Sequence, residues 1–405
     1  MNKAKEAIKV DLTDLDLFEN ELIEDVFKDL REHAPVYWNE LADGKGFWVL
    51  SKYKDISDAW KNTEKLTAEK GNMLRLFGVG DPAGGDMMVV TDPPKHTALR
   101  NLHNKSFNPL LSQELEEDVH AFVVKSLDSI KLNKTFDFVE EIAAILPISV
   151  TLSMLKVPRS DWMHVADLCR SSLSAEDPEY YKGRNLEETL LRVNSEIYIY
   201  LLELVQKRRN NLQNDFLSRM IKGTVNNQSL DDHVLTLNLI SFILAGLETT
   251  KYAATGGLLA FVENPDALEE LRNDYALIDN AIEEILRWTS PNVHVMRIAK
   301  ENFFIGETLI KKGDTVTLWV SSANRDMEYF KNPFKFDIKR KPNKHIAFGV
   351  GNHYCLGAKL ARIELKILFI EILKRGYKIK ISGNKRRLRS NFLAGYKTLP
   401  VEFSL

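Results

Sequence analysis

The chain has 405 residues, 44% of them hydrophobic and 28% charged, with a formal net charge of −2. That balance fits a folded globular protein and gives no electrostatic footprint for nucleic acid or an anionic membrane as main partner. The two cysteines, Cys169 and Cys355, lie far apart in dissimilar contexts, which excludes a disulfide framework and suits a reducing cytoplasm.

The first twenty residues contain no apolar signal-peptide core, and the chain has no run of 18 apolar residues, so a soluble, cytoplasmic protein without a membrane anchor is expected. No repeat, low-complexity block or linker divides the sequence. One domain over residues 1–405 is expected, with about 1–20 as an amino-terminal extension. A helix near Leu22–His33 precedes short strands at Val36–Trp38 and Phe47–Leu50, turned by Asp43 and Gly44.

Residues 70–90 carry Gly71, Gly78, Gly80, Gly84 and Gly85 among apolar side chains. Such a segment is either a mobile lid or a plain connection. Thr91-Asp92-Pro93-Pro94 sets a helix start, after which His96 and Arg100 share one helical face. They form either a solvated basic face or a pair of donors for an anionic group.

From 115 to 265 the pattern is mostly helical, with turn signals at Pro147, Pro158, the run 174–184 and Gly223–Asn227. Leu186–Arg209 has the spacing of a long amphipathic helix, whereas 160–185 has few start signals and is open to being a flexible cover. Ser229-Leu230-Asp231-Asp232 resembles a capping box at the head of an unusually apolar stretch, Val234–Leu247. At 14 residues before Glu248 interrupts it, that stretch is too short for a bilayer and is expected to cross the core, continuing to Val262. Inside it sits Ala245-Gly246-Leu247-Glu248-Thr249-Thr250. An acid and two alcohols in a core helix are costly without partners. They are either a threonine bonded back to its own helix beside a buried ion pair, or a device that delivers protons to a ligand lying on the helix. Gly246 is expected to let that ligand come close.

Glu284 and Arg287 stand at ion-pair spacing in a helix over 279–287. An extended run Pro291–Arg297 follows, then strands near Phe303–Phe304 and Thr315–Trp319 with a turn at Lys312-Gly313-Asp314. A long connection with Phe330, Phe334, Phe336 and Arg340 leads to Phe348-Gly349-Val350-Gly351-Asn352-His353-Tyr354-Cys355-Leu356-Gly357, and a helix over Ala358–Leu373 closes this part. Cys355 is either a small buried hydrophobe or, at the positive end of that helix, a thiolate ready to bind metal.

Four motifs together resemble the cytochrome P-450 family of heme-thiolate monooxygenases, in its soluble bacterial form. These are the cysteine loop at 348–357, Glu284-x-x-Arg287, Ala-Gly-x-Glu-Thr-Thr at 245–250, and Asp-Pro-Pro-x-His-x-x-x-Arg at 92–100. The resemblance implies a mainly α fold with small β-sheets (α+β), one domain, and heme b (iron protoporphyrin IX) between the long central helix and the cysteine loop.

It implies Cys355 as the axial thiolate and metal ligand, shielded by Phe348, in a loop shaped by Gly349 and Gly357. His96, Arg100, Arg297 and His353 would hold the heme propionates, with His345 near the same edge. Ala245 would lie on the heme face, and Glu248 and Thr249 would be the acid–alcohol pair that feeds protons to dioxygen. Glu284, Arg287 and Arg340 would be structural.

The implied reaction hydroxylates or epoxidises a hydrophobic small molecule, free or tethered to a carrier protein, in secondary-metabolite tailoring. Two electrons would come from a separate ferredoxin or flavodoxin with its reductase, docking near Lys105, Lys359 and Arg362. Alternatives are a steroid, terpenoid or fatty-acyl hydroxylase, a peroxygenase, or a non-catalytic heme-binding protein. A monomer is expected. The substrate pocket would draw on residues 70–90, Ile243, Ala245, Val293–Met296 and Leu393–Gly395.

Overall fold

The computed structural model describes residues 9–181 and 185–405. A central helix, Asp232–Glu263, is the axis of the molecule. By length and composition it could cross a bilayer, yet it packs against helices Ile145–Met154, Trp162–Leu173, Leu186–Asn210, Ile278–Thr289 and Ala358–Lys374. Leu235, Leu239, Ile243, Leu247, Leu258 and Phe261 supply its buried stripe. The helix runs unbroken through Glu248, so the acid does not divide it into two apolar pieces.

Its start differs from the expected capping box. Asp231, not Ser229, is the cap, and its carboxylate accepts from the Val234 amide at 2.8 Å. Ser229 instead closes a two-residue hairpin, Gln228–Ser229 with Thr224–Val225, turned by Asn226 and Asn227. Both asparagines have positive φ, 52° and 64°, the conformation that residue type tolerates best after glycine.

The β-structure sits to one side. A five-stranded sheet orders Val36–Glu40, Gly46–Leu50, Thr315–Trp319, His294–Ala299 and Leu66–Thr67, all antiparallel except Thr315–Trp319 against Gly46–Leu50. This brings Arg297 opposite Val316 at the centre of the sheet. The first described residues also meet the core. Leu12 and Phe18, within the expected extension, are buried, and the Leu12 amide donates to Asn39 at 2.8 Å.

Residues 70–90 hold only two single turns, Leu74–Leu76 and Met88–Val90. The segment is nevertheless tied at both ends. The Met296 amide donates to the Asn72 carbonyl at 2.9 Å, and Asn238 of the central helix bonds both the Met88 amide and the Asp86 carbonyl. The stretch 160–185 is likewise structured where described. The helix Trp162–Leu173 begins without a side-chain cap, because the Asp161 carboxylate is taken by Ser160 and Tyr200. Pro178–Tyr180 makes a single turn, and residues 182–184 of the expected turn run lie outside the described residues.

In the long connection before the cysteine loop, Phe330 and Phe336 are buried as expected, but Phe334 is exposed. Arginines do most of the tying down. Arg287 donates to the carbonyls of Asn324 and Pro333, and Arg340 to those of Lys331, Asn332 and Lys335.

Candidate functional site

Three elements converge below the central helix. The first is the cysteine loop. Gly349 and Gly351 take φ of +69° and +71°, and a Cβ at Gly349 would sit 2.7 Å from the Trp60 ring, so glycine is required there on both counts. The Cys355 amide closes the loop by donating to the Phe348 carbonyl at 2.8 Å. The Cys355 sulfur receives the backbone amides of Gly357 and Ala358, at the head of the helix Ala358–Lys374. Burial outweighs these amides and nearby Arg100 and Arg362, and pushes the thiol above its ordinary value. The helix-end amides act in the expected direction, towards thiolate, and a bound cation would act with them.

Phe348 packs under the loop with the Arg362 guanidinium 4.6 Å from its ring centroid. Arg362 is paired with Glu283 at 2.5 and 2.9 Å, so it is not a free surface charge, whereas Lys105 and Lys359 are exposed. His345 pairs with the same Glu283 at 3.1 Å, which removes it from the expected edge.

The second element is a donor cluster. His96 and Arg100 project from the helix Lys95–Phe107, Arg297 from its strand, and His353 from the cysteine loop. The His96 and His353 rings lie 4.2 Å apart. His96 Nδ1 and His353 Nε2 are buried with no hydrogen-bond partner. Arg100 donates to the Tyr354 carbonyl and Arg297 to the Met296 carbonyl, and among the described residues neither has a carboxylate within ion-pair distance. Burial and the neighbouring guanidiniums pull His96 down to about 4 and His353 to about 2. Burial likewise draws Arg297 down to about 10. Two unpaired guanidiniums and two orphaned imidazole nitrogens in one buried place are a costly arrangement unless anions join them.

The third element is the central helix. Ala245, midway along it, is solvent-accessible, and the Thr249 hydroxyl one turn later donates to the Ala245 carbonyl at 2.9 Å. These two residues mark an accessible face of the helix. Gly246 does not: a Cβ there would meet Thr151 at 2.8 Å, so this glycine lets the helix Ile145–Met154 pack closely. Ile243 also points into the helical core.

His294, in the expected substrate segment 293–296, ties residues 70–90 to the turn just before Phe392. Its Nε2 accepts from the Leu74 amide at 3.0 Å, which leaves the proton on Nδ1 to donate to the Asn391 carbonyl at 2.8 Å.

Residues 13–403 match the family profile described as Cytochrome P450. The chain belongs to the cytochrome P450 family. It is 36% identical to "Putative cytochrome P450 126" of Mycobacterium tuberculosis, over 97% of each chain. It is 30% identical to "Linalool 8-monooxygenase" of Pseudomonas putida, over 96% of this chain and 98% of that one. Among solved structures, Mycobacterium marinum cytochrome P450 CYP268A2 in complex with pseudoionone superposes with a TM-score of 0.89, at 26% identity and full coverage of both chains. Membership makes the chain an oxygen-incorporating oxidoreductase whose cofactor is heme b bound through a cysteine thiolate.

The residues present fit that group. The propionates of heme b would supply the two anions that the donor cluster lacks, and its iron would supply a cation for the Cys355 sulfur. Trp60 Nε1, buried, unpartnered and packed on Gly349, lies in the same region and had no signal in the sequence.

The acid of the acid–alcohol pair is placed differently from its alcohol. Glu248 is buried one position on from the accessible face, in an ion pair with Lys251 of the same helix, with Arg170 Nε 3.9 Å away. Arg170 in turn reaches Glu140 at 3.2 Å, and Glu140 is exposed. The Glu248–Lys251 spacing of three was visible in the sequence, but Arg170, 78 positions away, was not.

One prediction concerns His294. Burial depresses its imidazole to about 4. A folded-state value below the unfolded one of about 6.5 means that the unfolded chain takes up a proton first, so this stability is present above about pH 6.5 and drains away as pH falls towards 4. Between pH 7 and pH 5 the wild type is expected to lose about 2 kcal/mol more than His294→Gln, measured as the change in urea unfolding free energy. Equal losses in the two proteins would contradict it.

Proposed function

We propose that this cytochrome P450 hydroxylates or epoxidises a hydrophobic small molecule, acting as a soluble cytoplasmic monomer of one domain over 1–405. Two electrons would come from a separate ferredoxin or flavodoxin with its reductase, which would meet the cysteine face near Lys105 and Lys359. Cys355 would hold the heme iron through its sulfur. His96, Arg100, Arg297 and His353 would hold the propionates, Phe348, Gly349 and Gly357 would shape the sulfur's surroundings, and Ala245 would face the bound group.

Heme, when bound, supplies the site at which dioxygen is activated. The protein's own part is proton supply and exclusion of water. Thr249 offers a hydroxyl on the accessible face, and Glu248 is the acid behind it. The observation that carries the monooxygenase reading is Glu248, an acid buried in the turn beside Thr249 and held by Lys251 and by Arg170, whose guanidinium stays charged and positions the carboxylate instead of passing a proton. A protein that used hydrogen peroxide, or only bound heme, would have no use for an acid held behind this hydroxyl.

The walls above the helix support an apolar substrate. Met73, Leu173, Leu244, Phe392 and Leu393 cluster there. Relatives named for linalool, a methyl-branched lipid and a steroid, and a similar structure holding a fatty-acyl carrier protein, are compatible with a terpenoid, lipid or steroid, free or tethered. Within that range we favour tailoring of a secondary metabolite.

In Thr249→Ala, product formed per electron pair consumed is expected to fall at least about tenfold, while reductant use continues. Unchanged coupling in a reconstituted reductase assay would remove Thr249 from the proton route.

A further inference from the structure

Beside the carboxy-terminal half of the central helix, at Tyr252, Gly256, Leu259 and Ala260, lies a cavity of about 290 Å³. Its floor is apolar, built by Phe18, Ile23, Leu259, Ala260, Trp288 and Val293. Its rim is charged yet self-neutralising. Glu21 pairs with Arg387 at 2.8 Å and accepts from the Tyr396 hydroxyl at 2.6 Å, Glu263 pairs with Lys385 at 3.3 Å, and Glu24 with Arg325 at 3.2 Å. Three acids facing three cations leave no net charge for a charged ligand to answer.

Three polar atoms on the lining lack a hydrogen bond; Glu24 Oε2 is ion-paired with Arg325 and the Tyr252 hydroxyl lies beside Glu248, which leaves Ser321 Oγ. Ser321 Oγ is buried, at 7% residue exposure, with no hydrogen-bond partner among the described residues. On one wall Tyr252 packs on Gly395, where even a Cβ on the glycine would come within 2.0 Å of the ring. No residue assigned above to heme or to proton supply lines this space, though Val293, Ala394 and Gly395 of the expected substrate segments do.

We propose that this cavity is a second binding site, for a neutral, mainly apolar molecule carrying one hydrogen-bonding group. The volume admits about ten non-hydrogen atoms, counting each as the share of a liquid water. The apolar floor disfavours filling by water, the paired rim disfavours a charged ligand, and Ser321 offers one donor and acceptor for a hydroxyl or carbonyl.

The test uses full-length, heme-loaded protein whose heme side is saturated with 4-phenylimidazole, so that only the second site is open. 1-Naphthol, taken up by equilibrium dialysis, is expected to bind once per chain with a Kd on the order of 0.1 mM. Ser321→Ala should weaken it about two- to tenfold, as expected for one neutral hydrogen bond. Ala260→Phe, which fills the floor, should weaken it at least about tenfold while leaving the 4-phenylimidazole spectrum intact.

1-Naphthyl phosphate, the same ring with a charge, should bind at least about tenfold more weakly than 1-naphthol. That comparison needs no variant and decides the matter if Ala260→Phe does not fold. No saturable uptake, or equal binding of the phosphate, overturns the proposal. So does undiminished uptake in a folded Ala260→Phe. The 4-phenylimidazole spectrum reports the heme site separately, so loss of that site is distinguishable from absence of the second one.

Discussion

Glu284→Ala is expected to lose about 3–5 kcal/mol of stability, a large share of the roughly 5–15 kcal/mol that a domain ordinarily has. Glu284 is fully buried, and its two oxygens accept from Arg287 at 2.8 and 2.8 Å, from Arg340 at 3.0 Å, from Asn343 at 3.1 Å and from the Asp337 amide at 2.8 Å. Without the carboxylate, two buried guanidiniums lose their only counter-charge within ion-pair distance among the described residues. Those guanidiniums also hold the carbonyls of Asn324, Lys331, Pro333 and Lys335, so the connection that delivers the cysteine loop loosens with them. Denaturant unfolding and heme content after desalting read the two consequences. Glu284→Gln, which keeps an acceptor but not the charge, should fall between. A Glu284→Ala protein with wild-type unfolding midpoint and full heme would show that the triad does not carry the fold.

Cys355→Ser acts on chemistry instead of stability. The donor cluster of His96, Arg100, Arg297 and His353 remains, so heme still enters, held by its propionates. The hydroxyl that replaces the thiol is a poor donor to iron, and the electron push that favours O–O cleavage is lost. Turnover with a reductase system is expected to drop more than about 100-fold, beyond the usual cost of losing a group that only supports a metal ligand. Cys169→Ala is the control. Cys169 is fully buried on the helix Trp162–Leu173, where burial and Glu248 push its thiol far up, so it is inert and its loss should leave turnover within a few-fold. Retained turnover in Cys355→Ser, or equal loss in Cys169→Ala, would count against the assignment.

The parts of this site that were legible in the sequence are those whose geometry is local. Glycines at Gly349 and Gly351 announce positive φ, His96 and Arg100 share a face by spacing alone, and Glu284 with Arg287 is an ordinary helical pair until Arg340 and the loop carbonyls surround it. What was not legible depends on neighbours from distant segments. Gly246 suggested room for a ligand, and the room is filled by Thr151. His345 suggested a heme-edge donor, and Glu283 holds it instead.

The helix at Trp162 gave no start signal because its cap is tertiary, with Asp161 bonded to Tyr200. The thiolate expectation for Cys355 weighed the helix end without the burial that opposes it. Glu248 is the sharpest case, since the residue type was visible but its position away from the Ala245–Thr249 face, held by Lys251 and Arg170, was not.

The central claim is that Cys355 ligates a heme whose propionates complete the donor cluster. The carbon monoxide difference spectrum of the reduced wild-type protein tests it most directly, because the position of that band reports the ligand opposite carbon monoxide. The account predicts a thiolate-type band in the wild type that is absent from Cys355→Ser. A wild-type spectrum of the imidazole or water-ligated type, or a thiolate-type band that survives Cys355→Ser, would contradict it.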